Sequence, residues 1–171
     1  MIYLIPRYTE QTRRGIDLCL GEKLVVPALA LLYSAIDVLG FLRSDEASAK
    51  RETFTAWVEA YMVAFLNTKG IRGIDLYSAR CGIVHTGQAA SDLVKSGQAR
   101  ELWYQFRGEA HVNLMANLPE PPVLVDVDEL VEAFTSACKE FVRDIRTDDT
   151  LGSRAEEKAG RFFRPGLLFR P

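Results

Sequence analysis

Arg80 and His85 are the two side chains whose types and spacing suggest chemistry in this sequence. They stand five residues apart in an otherwise apolar segment, 76–87. A guanidinium group offers a planar, permanently charged fork to an anion, and an imidazole exchanges a proton near neutral pH. Such a pair suits anion binding with acid–base catalysis. In the simpler alternative, Arg80 is salt-bridged inside the core and His85 is a satisfied core residue.

A helix over 76–87 would position this pair, with Asp75 as its N-cap and Gly87 at its end. Five residues of α-helix correspond to about 7.5 Å of rise and about 140° of rotation, so the two side chains would not share a face. They could still line one pocket if Arg80 folds back. A two-fold axis that brings the same helix of a second chain alongside would have the same effect.

The most hydrophobic helix candidate, residues 22–42, contains Ser34 and Asp37 on one face. A carboxylate in an apolar setting must find a cation or become neutral. Arg80 is the obvious partner, and we expect an Asp37–Arg80 contact. The alternatives are that Asp37 meets solvent at the helix edge or binds Arg72.

Two further segments bear on the site. Segment 67–73 is a turn whose cations, Lys69 and Arg72, could flank the mouth of the Arg80 and His85 helix, although exposed loop cations are usually only solvated. Before it, apolar residues at helical spacing predict a core stripe rather than a base-stacking surface. The members of that stripe are Phe54, Trp57, Val58, Tyr61, Met62 and Phe65.

The residue pattern in the second half of the chain predicts a short β-hairpin and one more long helix. A β-hairpin insertion within 100–115, with its return strand at 110–114, fits the alternation of residue types, although a short helix also fits. After a proline-rich linker, 117–123, Asp126 or Asp128 would cap the last helix. Its predicted buried stripe is Leu130, Phe134, Ala137, Cys138, Phe141 and Ile145.

These patterns together predict a mostly all-α fold, an up-and-down bundle of four to five helices. With 171 residues and 48% hydrophobic content, we expect one domain over 1–150. Residues 151–171 would form a basic C-terminal tail that is mobile or bound to a partner. The net charge of −2 argues against binding nucleic acid through bulk charge, so any RNA contact must be focal.

Composition also limits the cofactors and the compartment. Three widely spaced cysteines and two histidines do not form a metal-binding pattern, so we expect no metal and no cofactor. The sequence has no secretory cleavage pattern, and no stretch approaches the roughly 20 apolar residues of a membrane span. We therefore expect a cytoplasmic protein without membrane contact.

The hexapeptide from Arg80 to His85, Arg-Cys-Gly-Ile-Val-His, resembles the Arg-x4-6-His motif of the HEPN superfamily, whose members are all-α domains. The resemblance covers residues 24–88 and includes the Ser34 and Asp37 pair. It implies metal-independent RNA cleavage, in which the ribose 2′-hydroxyl attacks the adjacent phosphate. Arg80 and His85 would be catalytic, with Ser34 and Asp37 holding Arg80. Lys69 and Arg72 would be possible RNA contacts.

The resemblance further implies a homodimer in which two motifs face each other, and a toxin or defence component neutralised by an antitoxin-type protein partner. Many active members carry a polar residue directly after the arginine, whereas this chain has Cys81. The alternative is therefore a non-catalytic HEPN-like module that binds RNA, a nucleotide or a protein, with Arg80 as the anion anchor.

Overall fold

The computed structural model describes residues 4–68, 70–86, 91–107 and 121–163, except for the side chains of residues 85 and 86. Within these ranges the chain is mostly helical and carries a small two-stranded parallel sheet. The prediction of a mostly α fold is confirmed.

Two of the helices continue directly into turns of a different helical type. α3 continues through a π-helical turn, Val58–Met62, and a 3-10 turn, Val63–Phe65, while α4 continues as a second π-helical turn, Gly82–Thr86. The regular elements are α1 (Leu4–Gly21), α2 (Val25–Arg43), α3 (Arg51–Trp57), α4 (Gly73–Cys81), α5 (Asp92–Lys95), β1 (Leu102–Gln105), β2 (Val123–Asp126), α6 (Val127–Thr147) and α7 (Asp149–Phe162).

Helix α2 lies at the centre and packs against α1, α3 and α7. Pro27 lies in its first turn, where a missing N–H group costs no intrahelical hydrogen bond. By length and composition alone, α2 is also long and apolar enough to cross a membrane, contrary to our expectation. Half of that apolar window is buried inside the protein, which is also the property of a core helix.

The aromatic core forms where α3 meets α6. The indole ring of Trp57 lies with its centroid 6.3 Å from the rings of both Phe134 and Phe141. The predicted stripe of α6 is buried throughout, and Asp126 caps that helix by accepting a hydrogen bond from the Glu129 N–H group at 3.1 Å. The α3 stripe is buried except for Phe65, which is 41% exposed. The π and 3-10 turns shift the helical phase and rotate Phe65 out of the core.

The sheet differs from the predicted hairpin. β1 pairs with β2 in parallel, from Leu102 opposite Val123 to Gln105 opposite Asp126. Parallel strands cannot be joined by a hairpin turn, and β2 begins at the end of the segment we predicted to be a linker. The proposed return strand, 110–114, lies outside the described residues. A hydrogen bond between the Tyr33 and Tyr104 hydroxyl groups attaches β1 to α2.

The basic segment predicted as a tail is a packed helix as far as Phe163. In α7, Gly152, Ala155 and Ala159 are buried, and the helix contacts α1 and α2. Lys158 donates hydrogen bonds from Nζ to the carbonyl groups of Phe41, Ser44 and Glu46 at 3.0, 2.6 and 2.7 Å. The basic residues therefore satisfy the carbonyl end of α2.

The close crossing of α2 and α3 predicts that Gly40→Ala is destabilising. A Cβ atom on Gly40 would lie 2.5 Å from the carbonyl oxygen of Thr53, so the two helices would have to move apart. We expect a loss of about 1–3 kcal/mol in the free energy of unfolding, measured by urea denaturation. The matched control is Gly160→Ala on the exposed face of α7, where nothing lies within 4 Å of the added atom. That change should stabilise by about 0.5–1 kcal/mol, and equal effects at both sites would contradict the proposed steric cause.

Candidate functional site

An ion pair between α2 and α4 lies at the centre of the candidate site. The Oδ2 atom of Asp37 accepts a hydrogen bond from Nε of Arg80 at 2.8 Å and lies 2.6 Å from its Nη2 atom in the same salt bridge. Each side chain is only 17% exposed. The contact predicted from the polarity of α2 is therefore present, and it joins the helix that carries Arg80 to the central helix.

Two residues close to Arg80 in the sequence, Tyr77 and Cys81, also contact its guanidinium group. The Tyr77 ring centroid is 5.7 Å from Cζ, within the range of a cation–π contact, and Nη1 lies 4.0 Å from Sγ of Cys81. Burial lowers the pKa of Arg80, but the hydrogen bond and charge of Asp37 outweigh it, so that the pKa is raised overall. Arg80 is thus a permanent cation in a fixed orientation.

The backbone between Arg80 and His85 is not a continuous α-helix. It changes at Gly82 to a π-helical turn that continues to Thr86. In a π-helix the hydrogen bonds join residues five apart rather than four, so positions five apart lie nearly one turn from each other. The separation of about 140° applies to a continuous α-helix, whereas four of the five steps from Arg80 to His85 end in a π-helical turn.

The structure leaves part of the predicted site untested. The side chain of His85 lies outside the described part of the chain, as do Lys69 and Gly87. Ser34 is exposed on α2, and within the described ranges no hydrogen bond joins it to Arg80. The structure thus brings Asp37 to Arg80 but does not bring Ser34 there.

Arg72 occupies the opposite end of α4 from Arg80, about 12 Å away along the helix axis. Its guanidinium group is half exposed and binds Asp75, with Nη2 and Oδ1 2.8 Å apart. It also donates a hydrogen bond to the carbonyl group of Gln98 at 3.2 Å. These contacts give Arg72 a local structural role at the start of α4.

Sequence reasoning assigned Asp75 to the wrong position and missed its importance. Helix α4 begins three residues earlier than expected, so Arg72 is the N-cap and Asp75 is the third helical residue. The fully buried Asp75 carboxylate accepts hydrogen bonds from the backbone N–H groups of Arg72 and Arg100 at 3.0 and 2.9 Å, and from both guanidinium groups. This cluster fixes the start of the helix that carries Arg80. An aspartate three residues after a helix start was the available signal.

A cleft opens beside the Asp37–Arg80 pair. Its volume is about 420 Å³, and its walls include Phe41, Phe162 and residues 47–49. A larger cleft of about 460 Å³ lies between α1 and α6, but it contains neither member of the ion pair. We favour the smaller cleft as the functional one because it contains the buried guanidinium group, whereas volume alone indicates no chemistry.

Comparison with known proteins identified no relative of this chain. No protein-family model, curated protein or solved structure matches this chain. The resemblance of the Arg80–His85 hexapeptide to the HEPN motif therefore stays a prediction, and function has to be inferred from the site itself.

Proposed function

We propose that this chain is an HEPN-like, metal-independent endoribonuclease that cleaves RNA with Arg80 and His85. The observation that carries the proposal is the Asp37–Arg80 pair, which holds a permanent cation at the wall of an open cleft. A planar guanidinium group in this setting suits a phosphate with two accessible oxygens. Cytoplasmic location and an up-and-down helical bundle belong to the same proposal.

In the proposed reaction, Arg80 binds the scissile phosphate and stabilises the negative charge that develops on it. The ribose 2′-oxygen forms a bond to phosphorus, and the bond from phosphorus to the 5′-oxygen of the next nucleotide breaks. The products are a 2′,3′-cyclic phosphate and a free 5′-hydroxyl group. His85 takes the proton from the 2′-hydroxyl group or gives one to the leaving oxygen.

Asp37 is the positioning residue of this scheme. Because its single Oδ2 atom holds two nitrogen atoms of Arg80, it limits rotation of the guanidinium group. A homodimer would place two such motifs opposite each other, and an antitoxin-type partner could cover the cleft.

The second candidate function is a non-catalytic helical module that binds RNA, a nucleotide or a protein through Arg80. Two observations favour it: Cys81 directly follows Arg80, and the guanidinium group is mostly buried against Asp37. Such a module would keep the anion site without the proton transfer.

Cleavage of labelled total RNA in the presence of EDTA tests the proposal. We expect wild-type protein to produce fragments with 2′,3′-cyclic phosphate ends, and His85→Ala to lose this activity while its circular dichroism spectrum is unchanged. The absence of cleavage by wild type, with RNA binding that depends on Arg80, would support the binding module. Cleavage that EDTA abolishes would contradict the metal-independent mechanism.

A further inference from the structure

A second cleft continues from the first along the C-terminal end of α2. It has a volume of about 340 Å³ and is lined by Glu46, Lys158 and Arg161 together with residues of the first cleft. The two clefts share Phe41, Ala47 and Phe162. The phenyl rings therefore stand between a chamber that holds Arg80 and one that holds two more cations.

These two rings form what we call the aromatic platform, Phe41 and Phe162. Their centroids are 6.4 Å apart and their planes are inclined by 51°. Phe162 is 51% exposed, so one of the two rings presents a face to solvent. Phe41 is half-buried and lies under Nζ of Lys158 at 4.3 Å. The Lys158 hydrogen bonds to three carbonyl groups hold this side of the platform in place.

The charges around the platform favour an anion. The Lys158 ammonium group donates three hydrogen bonds to backbone carbonyl groups rather than to a carboxylate. Glu46, the acidic residue of this chamber, already pairs with Lys50 at 2.5 Å. Arg161 pairs with Glu157 on the surface, where such pairs are weak and easily exchanged.

We propose that the aromatic platform is a nucleobase subsite for single-stranded RNA. One base stacks on the exposed Phe162 ring, and the phosphates on either side of that base approach Arg80 in one chamber and Arg161 in the other. Aromatic rings bind bases of every type in this way, and cations beside them bind the backbone. The small, exposed residues 47–49 line the chamber that holds Arg80. This inference rests on the proposed RNA-directed function and assigns its substrate class as single-stranded RNA.

Binding of a fluorescently labelled, 2′-O-methylated RNA oligonucleotide tests this subsite, since the blocked 2′-oxygen prevents cleavage. We expect Phe162→Ala to weaken binding, followed by fluorescence anisotropy, by about 5- to 150-fold, the value of one stacked base. Phe162→Trp should retain the wild-type affinity because it keeps an aromatic face. The matched control is Phe65→Ala, which removes another exposed phenyl ring, 41% accessible and outside both clefts. It should bind as wild type does.

Several outcomes would overturn the subsite. One is that wild type fails to bind the RNA, and another is that Phe162→Ala binds it with the wild-type affinity. Equal losses of RNA affinity in Phe162→Ala and Phe65→Ala would also contradict the subsite. Sedimentation in which Phe162→Ala only converts a dimer to a monomer would identify the platform as a contact between two copies instead. Binding that depends on Phe162 without cleavage of unmodified RNA would keep the subsite and reject the nuclease, so the two proposals can fail separately.

Discussion

Arg80→Lys is expected to cleave RNA about 10²- to 10³-fold more slowly than wild type in EDTA, the usual cost of losing one aligned donor to a developing oxyanion. A lysine keeps the positive charge next to Asp37 but replaces the planar fork with a single point charge. The urea midpoint should change little. Arg80→Ala, in contrast, would leave a mostly buried Asp37 without this partner and cost about 3 kcal/mol or more in stability.

The comparison of lysine with alanine separates catalysis from structure, because both variants lose the fork and only alanine loses the charge. Arg13→Lys is the matched control. Arg13 is a salt-bridged arginine on α1, 2.6 Å from Asp17, and it lines the larger cleft. Its replacement should leave cleavage unchanged. Wild-type activity in Arg80→Lys, or an equal loss in Arg13→Lys, would contradict the assignment of the site.

Asp75→Asn is expected to lower the free energy of unfolding strongly. The neutral amide loses the charge that two arginines share and cannot accept from all of their N–H groups. Breaking a buried ion pair costs about 3–5 kcal/mol, and we expect the lower end because Arg72 and Arg100 keep access to water. Urea denaturation at neutral pH measures this loss. The control, Asp92→Asn, removes a fully exposed carboxylate at the start of α5 and should change stability by less than about 0.5 kcal/mol.

Lowering the pH should remove much of the difference in the free energy of unfolding between wild type and Asp75→Asn. Burial raises the pKa of Asp75, but the hydrogen bonds from Arg72 and Arg100 outweigh it and lower the pKa from 3.8 to about 2. The folded state therefore holds the proton less tightly than the unfolded state. The resulting stabilisation, about 2 kcal/mol, is complete above about pH 5 and is lost as the pH falls toward about 2. A difference between the two proteins that stays constant from pH 5 to pH 2 would contradict this role of the Asp75 carboxylate.

The Asp37–Arg80 contact shows what polarity alone can predict. One acidic residue in an apolar helix and one basic residue in another must satisfy each other or become neutral, and few partners were available. Asp75 shows the limit of the same reasoning. Its second partner, Arg100, follows it by 25 residues and reaches it only because the chain returns from α5 to β1 beside the start of α4.

The corrections share a different cause. Phe65 fits the helical period of α3, but a π-helical turn lies between α3 and Phe65 and changes the phase. Residue types do not reveal which hydrogen-bond register a helix adopts. The sequence predicts residues 151–162 to be part of a basic tail because the buried face of α7 consists of glycine and alanine rather than large apolar side chains. Small residues become core residues only where a neighbouring helix comes close enough to cover them.

The sequence by itself determined the mostly helical fold, the apolar stripe of α6, the aspartate cap at its start and the pairing of Asp37 with Arg80. These depend on local periodicity and on the cost of burying an unpaired charge. Only the tertiary structure decided the parallel pairing of β1 with β2, the packing of α7 and the two clefts joined by the Phe41 and Phe162 rings. Each of these brings together residues distant in the chain, and no local pattern encodes which distant surfaces will meet.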